Sequence, residues 1–479
     1  MIAFGTDGWR AVVADDFTYE NVRAVAQGVA NFLTGDARPV VVAHDARYCA
    51  ELFAREVSRV LAANGKHVIL VDRPVPTPVA SWTVIEHKTA GAVVVTASHN
   101  PAEFNGLKYK SDVGGSAAHE LIEKIQVESN AALTGSVKQM TFADAQEQGL
   151  IETIDARAAY YQQVGRIVDL TKVKNAGLKI LHEAMYGAGA GFISAALEGG
   201  KTTVTELHSE RNPSFVGMHP EPIARYMPEA MSTMKSGGFD LCIANDGDAD
   251  RVGIIDENGR YVNQLEVAGL FAMYLLERKG WRGDMVRSLT STNMVDALGE
   301  KFGVKVHETP VGFPYIGKLF VETDAIFAAE ESGGFAFHGH LPERDGIVAG
   351  LLIAEMIVEY GQPLSQLLTK LTDMVGPRAY DRHDIRFERD GYPERKERVY
   401  ASMRENSPKE LGGSAVVKTR ADDGFKFYLD DGAWALVRMS GTEPLMRVYS
   451  EAQTPERVAQ LLGALEKHLE VTPQPAGAH

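Results

Sequence analysis

Short apolar runs alternate along this chain with stretches of helical periodicity. Residues 39–45 (Pro-Val-Val-Val-Ala-His-Asp) form a continuous apolar run that predicts a buried strand. In residues 50–63, Leu52, Phe53, Val57, Val60 and Leu61 share one helical face, and Asn64-Gly65 supplies the stop. A second strand is predicted over 67–71. Pro74, Pro76 and Pro78 then break the chain before a short helix, and Val93-Val-Val95 leads a third strand into Thr96-Ala97-Ser98. This β-α-β-α-β order predicts a mainly parallel sheet, closed by a helix near 116–133. The order recurs with a helix at 155–169, a strand at 178–183, a Gly-rich turn and helix, and a strand at 202–207. A helix at 221–235, a strand at 239–244 and a hairpin turning at Asp256-Glu-Asn-Gly259 complete that round. A third round runs from a helix at 264–278 through strands at 284–289 and 325–329 to apolar helices ending near Met374. Beyond Gly376-Pro377 the pattern changes to strands at 383–387, 414–419, 425–429 and 433–437. Helices at 393–405 and 454–469 accompany them, and a Pro- and Gly-rich tail is expected to be disordered.

The fold class expected is therefore α/β, with three similar mixed α/β domains (1–150, 151–260 and 261–375) and a smaller C-terminal α+β domain (376–479). A length of 479 residues suits such a partition, because single cores seldom grow so large. The net charge of −15 argues against nucleic acid or an anionic membrane as the main partner, though local Arg and Lys can still bind an anionic substrate. Two cysteines, Cys49 and Cys242, cannot build a disulfide framework and suit a reducing compartment. No signal-peptide pattern is apparent at the start, and the apolar stretch 346–358 is too short to span a bilayer, so a cytoplasmic protein is expected.

Candidate chemistry lies in loops that follow strands. Ser98 stands at the carboxyl end of an apolar strand, where open α/β sheets bind ligands; a helix cap is the plainer reading of the same serine. The run Asn245-Asp246-Gly247-Asp248-Ala249-Asp250-Arg251 places three carboxylates within five residues, an arrangement that repels itself unless a cation sits among them. All-oxygen ligands suit Mg²⁺ or Mn²⁺. A solvated acidic turn is the bland alternative, and an EF-hand fails because Arg251 stands where that loop requires glycine. Glu330-Glu331-Ser332-Gly333-Gly334 offers hydrogen bonds to a polyhydroxylated ligand, or a cap for the next helix. Arg438-Met-Ser440-Gly441-Thr442 offers a phosphate cradle, or a structural turn. Gly187-Ala-Gly189-Ala-Gly191 misses the dinucleotide spacing, and neither a P-loop nor a Gly-x-Ser-x-Gly elbow is present. A serine, a carboxylate-held cation and a phosphate cradle together point to phosphoryl transfer through a phosphoserine.

Thr96-Ala97-Ser98-His99-Asn100-Pro101, Asp246-Gly-Asp248-Ala-Asp250-Arg251, Glu330-Glu-Ser332-Gly-Gly and Arg438-x-Ser440-Gly-Thr442-Glu-Pro resemble, in order and approximate spacing, the motifs of the α-D-phosphohexomutases (the phosphoglucomutase/phosphomannomutase family). Phe4-Gly-Thr-Asp-Gly-Trp9-Arg10 resembles that family's amino-terminal motif. The resemblance covers essentially the whole chain and implies four domains whose loops meet around a central cleft. It implies that Ser98 carries the phosphoryl group. Asp246, Asp248 and Asp250, together with the phosphate on Ser98, would bind Mg²⁺. Glu330 and Ser332 would hold the sugar, as would Gly312 and Phe313 in Thr309-Pro-Val-Gly-Phe313, where relatives often carry Trp or His in place of Phe313. Arg438, Ser440, Gly441 and Thr442 would hold the phosphate that is not being transferred. Arg10, His99, Lys108, Arg251 and Arg287 match positions near the transferring phosphate, with Lys108 or His99 moving the proton. The implied reaction interconverts hexose 1-phosphate and hexose 6-phosphate through a hexose 1,6-bisphosphate, which also serves as activator. The sugar loop is most similar to that of bacterial-type phosphoglucomutases, whereas Phe4-Gly-Thr-Asp-Gly also occurs in glucosamine mutases. Glucose phosphate is thus the expected substrate, with mannose or glucosamine phosphate as alternatives and a serine-dependent metal phosphatase as the rival class. The expected partner is a phosphosugar, with no nucleic acid and no membrane, bound by a monomer or homodimer.

Overall fold

In a computed structural model that describes residues 1–388, 390–440 and 444–471, the apolar runs assemble into four consecutive sheets. The tail from 472 onward, expected to be disordered, lies outside the described residues. The first sheet has six strands in the spatial order Trp9–Val12, Phe104–Lys110, Ala92–Val95, Val40–His44, Val68–Val71 and Ile151–Ile154. The last four of these run parallel, and Phe104–Lys110 and Trp9–Val12 add to the edge in antiparallel fashion. Every residue of Val40–His44, Val68–Val71 and Ala92–Val95 is buried, as continuous apolar runs between two helical layers require. Ile151–Ile154 pairs with Val68–Val71, so the first sheet reaches past residue 150, where the hydrophobic pattern placed the end of the unit.

The second and third sheets repeat the plan. Parallel strands Thr203–Leu207, Lys179–Glu183 and Leu241–Asn245 are extended antiparallel by Val252–Ile255 and Tyr261–Val262. Parallel strands Val306–Thr309, Met285–Ser288 and Phe327–Ala329 are extended antiparallel by Phe335–Phe337. The fourth sheet is antiparallel throughout, with Leu445–Ala452 between Ala379–Arg386 and Trp434–Met439. The predicted helix at 221–235 is shorter. Pro220 and Pro222 hold the first part out of a helix, and the α-helix begins at Pro228, whose missing N–H costs nothing at a first turn.

One apolar core runs through the first three units, joining Val41, Tyr160, Ile243, Leu270 and Leu351, while the fourth has its own around Phe427, Val437 and Leu461. The helices Gln264–Glu277 and Gly346–Tyr360 are buried nearly all round, which accounts for their uniformly apolar sequence. Among the described residues no single helix is long and apolar enough to cross a membrane. A buried polar joint crosses this core. Asp345 caps helix Gly346–Tyr360 through the backbone N–H groups of Ile347 and Val348, and Tyr160 donates its hydroxyl to the same carboxylate at 2.8–2.9 Å. Replacing Tyr160 by Phe leaves that carboxylate short of a donor, and we expect a loss of about 1.5–3 kcal/mol in urea unfolding, the range for hydrogen bonds to charged groups. An unchanged midpoint would show that the joint carries no stability.

Candidate active site

All four motif loops are hairpin connections, each joining a central strand of its sheet to an antiparallel neighbour. Ser98 lies between Ala92–Val95 and Phe104–Lys110, and the aspartates lie between Leu241–Asn245 and Val252–Ile255. Glu330 to Gly334 joins Phe327–Ala329 to Phe335–Phe337, and the Arg438 loop joins Trp434–Met439 to Leu445–Ala452. Neither Ser98 nor Glu330 caps a following helix, which removes the plainer reading of both loops.

Ser98 is fully buried and its backbone sits in the left-handed region at φ 52°, a conformation that costs a residue with a Cβ about 1–2 kcal/mol. Its Oγ donates to Asp246 Oδ2 at 2.9 Å. The two loops approach closely because residue 247 has no side chain: a Cβ there would stand 2.4 Å from the carbonyl oxygen of Ser98. Asp246, Asp248 and Asp250 are buried, with one oxygen from each lying within 4.8 Å of the others. Burial, then Asp250 and Asp248, pushes the Asp246 carboxyl well above the usual range. Against this stands Lys108, from the strand beside the serine's own. Its Nζ contacts Asp248 Oδ2 at 2.8 Å, Asp250 Oδ2 at 2.9 Å and Asp7 Oδ2 at 2.9 Å. Burial works against the ammonium, but Asp248, Asp250 and Asp7 outweigh it and hold Lys108 charged. Arg251 donates its backbone N–H to Asp246 Oδ1, and Arg10 donates to the side chain of Asn100 at 2.7 Å. His99 is held well below its ordinary range by burial, then by Arg251 and Arg10.

Buried Asp248 Oδ1 and Asp250 Oδ1 have no hydrogen-bond partner among the described residues. Orphaned carboxylate oxygens beside a third buried aspartate are what a hard divalent cation requires, so the residues present fit a metal.

Glu330 and Ser332 face each other, Ser332 Oγ donating to Glu330 Oε2 at 2.7 Å. Arg344 joins this loop to the metal loop, lying 3.9 Å from Glu330, 3.0 Å from Asp250 and beside Asp7. Its side chain also explains Gly334, since a Cβ at that position would stand 2.3 Å from Arg344 Cδ. Arg438 donates to Asp423 at 2.8 Å, and the carbonyl of Ser440 accepts from Tyr392. Gly441 and Thr442 lie outside the described residues.

The remaining candidates of the third unit fall in two places. Phe313 packs with Val286, Ile316 and Phe320, and its ring lies 5.3 Å from the guanidinium of Arg344 beside the Glu330 loop; Gly312 stands against Thr6, next to Asp7. Arg287 is not brought to Ser98. Its guanidinium is taken up by Asp296 and Glu308, at 2.5 and 2.6 Å, in the joint between third and fourth units. The sequence reading missed Asp7, Thr77 and Arg344. Thr77 donates its hydroxyl to Asp248 Oδ2 at 2.6 Å from the start of helix Thr77–His87. Each had a faint signal: Asp7 within Gly5-Thr-Asp-Gly8, Thr77 between two prolines, and Arg344 just before the most apolar helix.

Comparison with known proteins places this geometry. Family models described as phosphoglucomutase/phosphomannomutase match in order: alpha/beta/alpha domain I at residues 1–134, domain II at 158–259, domain III at 263–375 and the C-terminal domain at 397–468. A phosphoglucomutase/phosphomannomutase of Thermococcus kodakarensis is 29% identical over 468 residues, 96% of each chain. A Pyrococcus horikoshii protein assigned as a phosphoglucosamine mutase is 30% identical over 469 residues, 97% of this chain and 96% of that one. The crystal structure of a Thermus thermophilus protein assigned as a phosphomannomutase superposes with a TM-score of 0.84 at 34% identity, covering 98% of this chain and 99% of that one. Fold and relatives together define an intramolecular phosphotransferase, an isomerase that moves a phosphoryl group within a sugar phosphate. The chain belongs to the phosphoglucomutase/phosphomannomutase family of α-D-phosphohexomutases.

If the aspartates hold a cation, Mg²⁺ or Mn²⁺ at a hundred times its dissociation constant should stabilise the chelator-treated protein by about 2.7 kcal/mol. Asp250→Asn should abolish most of that thermal shift; a full shift in the variant would place the ion elsewhere.

Proposed function

We propose that the protein interconverts α-D-glucose 1-phosphate and glucose 6-phosphate through a phosphoserine at Ser98. The observation that carries this reading is the buried Ser98 hydroxyl, 2.9 Å from Asp246 and beside a triad with two carboxylate oxygens that have no partner among the described residues. Asp246, Asp248 and Asp250 would hold Mg²⁺ together with a phosphate oxygen on Ser98, and the bound ion would neutralise phosphate charge as a Lewis acid.

In the first half-reaction the bond between Ser98 Oγ and phosphorus breaks as the phosphoryl group passes to a sugar hydroxyl oxygen. That hydroxyl's proton is relayed to Ser98 Oγ, with the uncharged His99 as the group able to accept it, because Lys108 is held charged by its carboxylates. Hexose 1,6-bisphosphate then turns over. In the second half-reaction its other phosphate ester breaks, Ser98 Oγ takes the phosphoryl group, and the serine's proton passes to the released sugar oxygen. Atoms and charge balance without any oxidant or net hydrolysis, and free bisphosphate serves to prime unphosphorylated enzyme. Arg10 and Arg251 flank the transferring group, Glu330 and Ser332 hold sugar hydroxyls, and Arg438 with Ser440, Gly441 and Thr442 anchors the distal phosphate.

Glucose is preferred in this reading because the sugar loop ends in Gly333-Gly334, and Arg344 fills the space a larger residue at 334 would need. The assignments of relatives span glucose, mannose and glucosamine phosphates, so the choice rests on that loop. A cytoplasmic setting belongs to the same proposal, consistent with Cys49 and Cys242 as free thiols.

The test is a substrate panel with Mg²⁺ and catalytic glucose 1,6-bisphosphate. Glucose 1-phosphate should have the highest kcat/KM; faster turnover of mannose or glucosamine 1-phosphate would overturn the sugar choice. Stoichiometric release of inorganic phosphate would instead make the protein a phosphatase. Ser98→Ala should lower kcat by at least about 10⁴-fold, as loss of a covalent nucleophile does, while retaining sugar-phosphate binding.

A further inference from the structure

Ser98 needs more than the aspartate loop to hold it in place. Asp45-Ala46-Arg47 follows the central strand Val40–His44, and the side chain of Arg47 is only 1% exposed. Its guanidinium donates to four carbonyl oxygens of the serine hairpin: Ser98 at 2.6 Å, Asn100 at 2.5 Å, Pro101 at 2.8 Å and Phe104 at 2.9 Å. Its Nε lies 3.2 Å from Asp45 Oδ2, and that oxygen accepts the Thr96 hydroxyl at 2.6 Å. Thr96 Oγ1 in turn accepts the backbone N–H of Ser98 at 2.9 Å. The amide and carbonyl of Ser98 are therefore both tied, directly or through Thr96, to one Asp45–Arg47 pair. From the far side Phe215 of the second unit places its ring 5.0 Å from the guanidinium.

Resting on the reading of Ser98 as phosphate carrier, we propose that Arg47 is a positioning residue for phosphoryl transfer. It touches neither sugar nor phosphate. By gathering four carbonyls it holds the left-handed turn at Ser98, so that Oγ keeps its aim at Asp246 through both half-reactions. A planar fork with five N–H donors reaches four carbonyls and Asp45 at once, a set that the three donors of a lysine ammonium cannot match. A purely structural arginine would instead affect folding alone, leaving turnover per folded molecule unaltered.

The experiment compares Arg47→Lys and Thr96→Val with the parent enzyme in steady-state turnover, thermal melting and single-turnover phosphorylation of Ser98 by glucose 1,6-bisphosphate. Arg47→Lys keeps the charge opposite Asp45, and Thr96→Val leaves Arg47 in place, so one folded variant is secured. We expect kcat and the Ser98 phosphorylation rate to fall together, at least 30-fold in Arg47→Lys and about tenfold in Thr96→Val, with KM within threefold. A kcat within threefold of the parent, a rise in KM at unchanged kcat, or activity lost only in proportion to unfolded protein would each overturn the proposal. Parent enzyme that takes no phosphate at Ser98 would overturn the carrier reading itself, an outcome distinct from any failure of the variants.

Discussion

The site rests on a balance of buried charge. Asp7, Asp248 and Asp250 meet on the single ammonium of Lys108, and Asp7 and Asp250 meet again on the guanidinium of Arg344. Buried carboxylates in such number are unfavourable without compensation, and removing one partner of a buried pair typically costs about 3–5 kcal/mol. These contacts also assemble the molecule. Lys108 comes from the first sheet, Asp248 and Asp250 from the second, Arg344 from the third and Asp7 from the amino terminus. The electrostatic arrangement of the proposed site is therefore the one that sets the first three units against each other.

The topology explains why the site can be built this way. Each of the first three sheets ends its parallel series in an antiparallel hairpin, and the fourth sheet supplies an equivalent hairpin of its own. A short hairpin fixes its loop from both sides, so the side chains proposed to act in the reaction stand on a rigid frame. The fourth unit joins the others through a second charged cluster, in which Glu308 accepts from Arg287, Arg420, Lys426 and Tyr428. Arg287 belongs to that joint, with Asp296 and Glu308 as its partners.

Much of the architecture was legible because long apolar runs and helical faces carry strong periodic signals. The motif loops were legible because three aspartates in five residues, or a serine after four apolar positions, are hard to explain otherwise. The antiparallel strands Trp9–Val12 and Phe104–Lys110 were not, because they mix charged and apolar residues and their direction is set by pairing, which sequence does not display. Arg47, Thr77 and Arg344 escaped for a related reason. Each is an ordinary residue locally and acquires its role only through partners in distant parts of the chain. Phe313 does two things at once, packing in the third unit's core while its ring faces Arg344.

The central claim is that Ser98 is a covalent and reversible carrier, and it can be tested without steady-state kinetics. Enzyme is loaded with labelled glucose 1,6-bisphosphate, digested and mapped by mass spectrometry, and a second portion is chased with unlabelled glucose 1-phosphate before digestion. The account predicts one phosphoryl group, on the peptide containing Ser98, that the chase transfers to sugar bisphosphate. Label on any other residue, or label on Ser98 that leaves only as inorganic phosphate, would contradict it.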